Sequence, residues 1–171
     1  MHPRLVWLMA IAFIMQSCST EEVPSVQLYS NSFDDDTSLE EFTRGFGNIS
    51  IETGDEAKNA TGCLSILGWC PAPNLSREIG PFDQDFIVYM EAWIKTDYGA
   101  AIHLNRAYGA GNYVRIETKD DLFEARKWNH YTSGVVLVPE GETVHLYFDA
   151  SNSTVSNTFI DDLIIYGRAN E

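Results

Sequence analysis

The chain has 171 residues, with 11 Lys and Arg against 25 Asp and Glu, which gives a formal net charge of −14. An acidic surface of this kind repels nucleic acid and anionic membranes, and it excludes nucleic acid as a partner. The length suits one domain with a hydrophobic core of its own.

Residues 1–17 are predicted to form a secretory signal peptide. Arg4 precedes an apolar run over residues 5–15, which is too short to be a comfortable membrane span. The small residue Ser17 stands directly before Cys18. This arrangement resembles the lipobox of bacterial lipoproteins, which implies cleavage before Cys18 and acylation of Cys18. The alternative is an ordinary secretory signal followed by an unrelated cysteine.

Residues 18–25 are predicted to be a lipidated polar tether. Within them, Ser19-Thr20-Glu21-Glu22 resembles the surface-export signal of lipoproteins in Bacteroidetes-type bacteria. The resemblance implies a protein that is held in the bacterial outer membrane by its lipid and exposed at the cell surface.

From residue 26 onward the chain reads as short strands separated by clusters of Gly, Asn, Asp and Pro, with no sustained helical periodicity. The predicted strands cover residues 27–33, 42–52, 63–69, 76–79, 85–96, 100–105, 112–118, 128–138, 143–150 and 157–167. Many short strands with regular turn signals are typical of a β-sandwich or barrel. We therefore predict one all-β domain over residues 26–168.

The spacing between Cys63 and Cys70 leaves a disulfide open. Seven extended residues span about 23 Å at about 3.3 Å each, whereas a disulfide needs Cα atoms about 4.4–6.8 Å apart. The pairing requires a sharp turn at Gly68.

The last predicted strand contains a pair of carboxylates, Asp161 and Asp162, among apolar residues. Neighbouring side chains of a strand point to opposite faces, and both faces of this strand are otherwise apolar. At least one carboxylate must therefore be partly buried, and it then needs donors or a cation. Satisfaction by backbone N–H groups and ligation of calcium both remain open.

Four segments together resemble the jelly-roll carbohydrate-binding modules of families four, nine and twenty-two: Asn31-Ser32-Phe33-Asp34, Gly62-Cys63-Leu64-Ser65-Ile66, Tyr89 to Lys95, and Trp128 to Asp162. The resemblance implies a jelly-roll β-sandwich of two antiparallel sheets. It also implies binding of a polysaccharide or oligosaccharide without catalysis, beside glycan-degrading enzymes or uptake proteins.

The same resemblance implies one structural calcium ion (Ca²⁺). Carried over by position, its ligands are Asp34, Asp161 and a backbone carbonyl near residues 59–61. Calcium takes carboxylate and carbonyl oxygens as ligands, so the residue types are suitable.

A jelly roll is expected to group the strands at 63–69, 100–105, 112–118 and 143–150 into one sheet. The outward aromatic and polar side chains predicted to bind sugar are Trp69, Tyr113, Arg115, Glu117, His145 and Tyr147. Aromatic rings stack on the apolar face of a pyranose, and polar groups bind its hydroxyls. The alternative is an ordinary solvated face. Trp93 is assigned to the opposite sheet, in a mainly structural role.

No catalytic residue is predicted. A glycosidase needs two carboxylates that flank one bond about 5–9.5 Å apart, and no pair in the sequence is marked for that role. The histidines lack metal-ligand spacing, and there is no nucleophile elbow or phosphate loop. The alternatives to glycan binding are a structural or adhesive surface protein and, third, a polysaccharide lyase or glycosidase.

Overall fold

A computed structural model of the chain describes residues 25–45, 47–67, 75–96, 101–106, 113–117, 124, 126–149 and 157–170. In this part of the chain, two antiparallel β-sheets pack face to face. The prediction of an all-β sandwich of two antiparallel sheets is confirmed.

The described chain forms twelve strands and two short 3-10 helices. The strands are β1 (Val26–Asn31), β2 (Thr43–Arg44), β3 (Asn48–Glu52), β4 (Cys63–Leu67), β5 (Leu75–Ile79), β6 (Phe86–Thr96), β7 (Ala101–Asn105), β8 (Tyr113–Glu117), β9 (Asn129–Thr132), β10 (Val136–Val138), β11 (Val144–Asp149) and β12 (Asn157–Ala169). The 3-10 helices are Asp36–Leu39 and Gly54–Glu56.

One sheet has seven strands, in the order β10-β6-β12-β4-β3, with β9 also pairing with β6 and β1 with β12. Its centre is the long strand β12, which pairs with β6 on one side along most of its length. On the other side, residues 157–160 of β12 pair with β4, and residues 163–167 pair with β1. The end of β1 and the start of β4 therefore meet near the middle of β12.

The other sheet has five strands, in the order β2-β5-β11-β7-β8. The expectation that the segment at 63–69 joins this sheet is wrong, because β4 pairs with β3 and β12 in the seven-stranded sheet. Cys63 to Ile66 are all buried, so both faces of β4 are covered, and even the polar Ser65 is only 4% exposed. The neighbour of β11 in that position is instead β5.

The core lies between the two sheets and follows the alternation of the sequence. Along β6, every second residue is buried, starting at Phe86 and ending at Thr96. The rings of Phe33, Phe42 and Phe148 cluster with centroids 6.0–6.3 Å apart. Complete burial of one such side chain stabilises the fold by about 1.5–3 kcal/mol, which makes this interior the main source of stability.

A polar link joins the two sheets at one edge. Arg77 of β5 lies opposite the buried Leu146, and its guanidinium lies 4.4 Å from the ring centroid of Tyr29 on β1. Arg77 forms an ion pair with Glu41, and the Tyr29 hydroxyl donates a hydrogen bond to the same carboxylate. Burial, with Glu41 adding to it, raises the pKa of Tyr29. A charged group at a core position is tolerated here because it has a partner.

Several predictions about the ends and loops fall outside the described residues, among them the signal peptide, the tether and Cys18. Across the residues that are described, no helix is long and apolar enough to cross a membrane. Cys63 is a buried free cysteine, and Cys70 lies outside the described part.

Candidate functional site

The outer face of the five-stranded sheet carries a row of side chains from four adjacent strands. Strand register places Ser76 of β5 opposite Tyr147 of β11, Tyr147 opposite His103 of β7, and His103 opposite Arg115 of β8. Residues directly opposite in an antiparallel pair have Cβ atoms about 4.5–5.5 Å apart, so these four side chains are neighbours.

Tyr147 and His103 form the centre of this row. Their rings are parallel, with centroids 4.5 Å apart and an interplanar angle of 5°. The Asn105 side-chain amide donates to the Tyr147 hydroxyl at 3.2 Å. One face of the Tyr147 ring is therefore covered by His103, while Ser76, a small residue, lies on its other side. The contacts with His103 and Asn105 hold the ring in place.

A second row runs next to the first. Register places Glu78, His145, Asn105 and Tyr113 in line across the same four strands. His145 Nε2 lies 3.5 Å from Glu78 Oε1, which also accepts a hydrogen bond from the Thr143 hydroxyl at 3.1 Å. Asn105 Oδ1 is buried without a hydrogen-bond partner among the described residues. We call the surface formed by Ser76, His103, Asn105, Arg115, His145 and Tyr147 the Tyr147 face.

The sequence-predicted sugar residues divide into two groups. His145, Tyr147 and Arg115 lie on the Tyr147 face, and Tyr113 and Glu117 belong to β8 of the same sheet. The side chains of Tyr113 and Glu117 lie outside the described part, as does the whole of Trp69, whose preceding strand β4 is in the other sheet. Binding of sugar by all six residues stays a prediction.

Two residues at the centre of the Tyr147 face were absent from the predicted set. Both residues lie on the outward-facing side of β7, so the alternation of the strand was a signal that could have identified them. Neither is a large aromatic residue, and only the stacking of His103 on Tyr147 shows its position at the centre.

The carboxylate pair in β12 lies at a β-bulge. The register between β12 and β6 shifts between Asp161 and Ile164, and Asp162 has a φ of 46°. The shift reverses the alternation, so that both Ile160 and Asp161 are buried, with Asp161 only 2% exposed. Asp161 Oδ1 accepts the Asp162 backbone N–H at 2.7 Å, whereas Oδ2 is buried with no partner in the described part of the chain. The expected partly buried carboxylate is Asp161.

Asp34, three residues past the end of β1, lies near this bulge. The hydroxyls of Ser32 and Thr61 hydrogen-bond to its carboxylate and lower its pKa. Gly62 packs so tightly against the end of β1 that a Cβ there would lie 2.4 Å from the carbonyl oxygen of Phe33. The segment after β1 therefore packs against the loop before β4, and the Asp34 carboxylate lies close enough to the bulge to add to the rise in the pKa of Asp161.

The carboxylates of Asp34 and Asp161 are of the chemical type that calcium takes as ligands. Burial raises the pKa of Asp161 to about 6, and the nearby carboxylates of Asp162 and Asp34 add to the rise. Lys58 opposes this rise only in part, since its ammonium pairs with Asp162 at 2.7 Å. No group of three or more His, Cys, Asp or Glu side chains suited to a metal occurs within the described ranges. A calcium ion here would therefore need backbone carbonyl oxygens as ligands in addition to the carboxylates of Asp34 and Asp161.

The outer face of the seven-stranded sheet is covered differently around Trp93. Lys58 Nζ lies 4.6 Å from the Trp93 ring centroid, and the His130 ring lies 5.1 Å away on β9. Further along, Lys95 lies 4.7 Å from the ring centroid of Phe159 and donates to the Glu56 carbonyl oxygen at 2.6 Å. Trp93 is on the sheet that was predicted, and cations and a neighbouring ring occupy its surroundings.

No protein-family model and no curated protein matches the chain. Solved structures do match it. The family 22 xylan-binding domain of Paenibacillus barcinonensis Xyn10C is 17% identical with a TM-score of 0.60, over 86% of this chain and 97% of that domain. The C-terminal family 22 carbohydrate-binding module of Clostridium thermocellum Xyn10B is 18% identical with a TM-score of 0.57, over 84% and 92%.

A cyclase from Fischerella sp. TAU has the same architecture, with 9% identity and a TM-score of 0.62 over 86% of this chain and all of the cyclase. Proteins of different function therefore share this sandwich, and identities this low establish the fold alone. The predicted resemblance is confirmed at that level: the chain has the jelly-roll β-sandwich fold of the family 22 carbohydrate-binding modules.

Proposed function

We propose that this chain binds a polysaccharide or oligosaccharide on the Tyr147 face and does not cleave it. The supporting observation is the ordered stack of Tyr147 on His103, beside small and polar residues, on a fold shared with xylan-binding domains. Such a face combines a flat aromatic surface with hydrogen-bonding groups, which is the chemistry of sugar recognition.

The residues of the Tyr147 face have distinct roles in this proposal. The Tyr147 ring stacks on the apolar C–H face of a pyranose, with Ser76 opposite it on the neighbouring strand. The Asn105 amide donates to the Tyr147 hydroxyl and so fixes the direction in which that hydroxyl can donate to a sugar. Arg115 and His145 contribute donors at the edges of the face.

We propose binding without cleavage because nothing in the described residues supports the geometry of a glycosidase site. Glycosidic cleavage needs two carboxylates that flank one bond. Glu78, at one edge of the Tyr147 face, is already engaged by His145 and Thr143. Because a cyclase has a similar fold, an enzyme is the second candidate function. Formation of a product would identify it.

A structural calcium ion is part of the proposal. Asp34, Asp161 and a backbone carbonyl near residues 59–61 would hold it, and the unpartnered Oδ2 atom of Asp161 is the observation that supports the site. When bound, calcium supplies positive charge that neutralises a buried carboxylate. Through it, the end of β1, the loop before β4 and the middle of β12 would be joined.

The cellular setting is also a proposal. Cys18 is acylated, residues 18–25 form the tether, and the domain lies on the outer face of the outer membrane, beside glycan-degrading enzymes or uptake proteins. Cys18→Ala should release the protein from the membrane fraction. Persistent membrane association of that variant would contradict the anchor.

A glycan array with xylan and xylohexaose among its probes tests the function, with and without EDTA, on the wild type and Tyr147→Ala. Binding without product, lost in Tyr147→Ala, supports the proposal. Absence of binding across the array favours a structural or adhesive surface protein. Release of a product identifies an enzyme.

A further inference from the structure

A pocket of about 510 Å³ opens on the seven-stranded sheet, between β1, the 3-10 helix at Asp36–Leu39 and β12. Its volume lies within the range of about 300–1,000 Å³ that small-molecule sites occupy. Eight of the ten described residues that line it are polar. They include Gln27, Ser30, Ser38, Glu41 and Asp162, and Ile164 is one of the two apolar members. We call it the β1 pocket.

A register shift in β1 places two polar side chains on the same wall of the β1 pocket. Residues three apart in a regular strand point to opposite faces, but the register of β1 shifts between Gln27 and Tyr29. Gln27 and Ser30 are consequently both exposed on one face, where the Gln27 amide donates to the Ser30 hydroxyl at 2.8 Å. This hydrogen bond orients an amide and a hydroxyl before any ligand arrives.

Hydrogen bonds from Asn31 fix the opposite wall, which the 3-10 helix and Glu41 form. The Asn31 side chain is buried, and it donates to the Ser38 carbonyl at 2.9 Å and to Glu41 Oε1 at 3.1 Å. Its own oxygen accepts the Phe33 backbone N–H at 2.8 Å. These hydrogen bonds hold the 3-10 helix against β1, so the shape of the pocket is fixed by the protein itself.

Charge balance indicates which class of ligand fits. Both carboxylates of the β1 pocket have a cation: Glu41 pairs with Arg77, and Asp162 pairs with Lys58. With these charges compensated, neither a metal ion nor an anionic ligand gains a net attraction from them. Carboxylate, amide and hydroxyl oxygens still accept hydrogen bonds, and the hydroxyls also donate. A neutral ligand rich in hydroxyl groups matches this set.

An apolar surface adjoins the polar wall. Ile164 faces Ser30 across the β1–β12 ladder, and Tyr166 faces Gln27. Tyr166 stacks on Tyr89 of β6 with centroids 5.1 Å apart and an interplanar angle of 22°. Polar groups beside aliphatic and aromatic surface suit a sugar ring, which presents hydroxyls at its rim and C–H groups on its faces.

We propose that the β1 pocket is a second saccharide site, which takes one neutral pentose or hexose unit. It lies on the outer face of the seven-stranded sheet, and the Tyr147 face lies on the five-stranded sheet, so the sandwich presents two separate sites. On a polymer, two linked sites raise avidity without any new contact. This inference goes beyond the proposed function and stands on residues that the Tyr147 face does not use.

The test is a titration of ¹⁵N-labelled protein with free xylose, glucose, galactose or mannose in calcium-containing buffer, followed by NMR. At least one sugar should produce saturable shifts of the Gln27 and Asn31 side-chain amides. Ser30→Trp, at an exposed strand position that borders the pocket, should abolish these shifts. Ser50→Trp, the same change at an exposed position of β3, is the matched control and should retain them.

Tyr147→Ala separates this site from the proposed one, because it should leave the Gln27 and Asn31 shifts unchanged while it removes shifts at Asn105. If Ser30→Trp lowers the melting temperature more than Ser50→Trp does, Gln27→Ala replaces it and should weaken the sugar affinity several-fold. The proposal is overturned if none of the four sugars shifts the two amides. It is equally overturned if the shifts persist in both pocket variants or disappear in Tyr147→Ala.

Discussion

Trp93 on the seven-stranded sheet and Tyr147 on the five-stranded sheet are both half-buried aromatic residues that alternate outward from a core strand. Around Trp93, Lys58 lies over the ring, His130 packs beside it, and Lys58 also pairs with Asp162. Around Tyr147, one ring face stacks on His103 and the other side is bordered by Ser76. Both side chains point outward from their sheets, but the residues around them differ in size and charge.

The two residues differ in which neighbours contact the ring. Lys58 comes from the loop that begins with the 3-10 helix at Gly54–Glu56, and it crosses to Trp93 on β6. The position opposite Tyr147 on β5 is instead a serine. The first arrangement surrounds the ring with a cation and an imidazole, and the second places a small side chain beside it. Four experiments test the roles assigned to these two residues and to the carboxylates of β12.

Removal of calcium should give the largest effect, and on stability alone. A ligand that binds only the folded state stabilises it by about 2.7 kcal/mol at a hundredfold excess over Kd. EDTA should therefore lower the melting temperature by several degrees, and Asp161→Asn should erase the difference. Asp36→Asn, at an exposed carboxylate in the 3-10 helix, is the control. An unchanged melting curve in EDTA, with no metal by elemental analysis, would remove calcium from the proposal.

Tyr147→Ala should act on binding. Truncation of an aromatic anchor costs about 2 kcal/mol, roughly thirtyfold in affinity. Isothermal titration with a glycan identified on the array measures the loss, and thermal unfolding checks that the fold is intact. A variant that binds as tightly as the wild type would show that the Tyr147 face is an ordinary solvated surface.

Trp93→Ala should act on stability and leave glycan binding unchanged. The variant loses a cation–π contact worth about 0.5–1 kcal/mol, together with part of the buried area of an indole ring. We expect the free energy of unfolding to fall by about 1–2 kcal/mol in denaturant titrations. The opposite pattern, with lost binding and normal stability, would mean that Trp93 itself contacts the glycan.

The pH dependence of the metal-free protein should give the smallest effect. Burial raises the pKa of Asp161 to about 6, above the value of about 3.9 in an unfolded chain. The folded state then holds this proton more tightly, so the contribution to stability is present at low pH and is lost as the pH rises through about 6. In EDTA, the wild type should gain stability relative to Asp161→Asn between about pH 7 and about pH 5. Parallel curves for the two proteins would contradict the buried carboxylate.

Strand positions were predictable because alternation along one strand is a local property. The segment predicted at 85–96 is β6 at 86–96, and its alternation buries Phe86, Val88, Met90, Ala92 and Ile94. The burial of one carboxylate in β12 was predictable for the same reason. The bulge that selects Asp161 was not, because it depends on the register with β6.

The candidate site was predictable only in part. Outward positions on β7 and β11 follow from parity, so His145 and Tyr147 were found. The choice of His103 and Asn105 as their neighbours required the cross-strand register. The placement of the 63–69 segment in the same sheet was wrong because burial of both faces of β4 by distant parts of the chain leaves no local signature.

By itself, the sequence determined an all-β chain, the core face of each regular strand and one buried carboxylate. These follow from side-chain direction, which repeats every two residues along a strand. Only the tertiary structure shows which strands share a sheet, which side chains surround each outward aromatic residue, and where β1 and β12 enclose a pocket. These depend on contacts between residues far apart in the chain, such as Lys58 on Trp93, which neither residue's local sequence encodes.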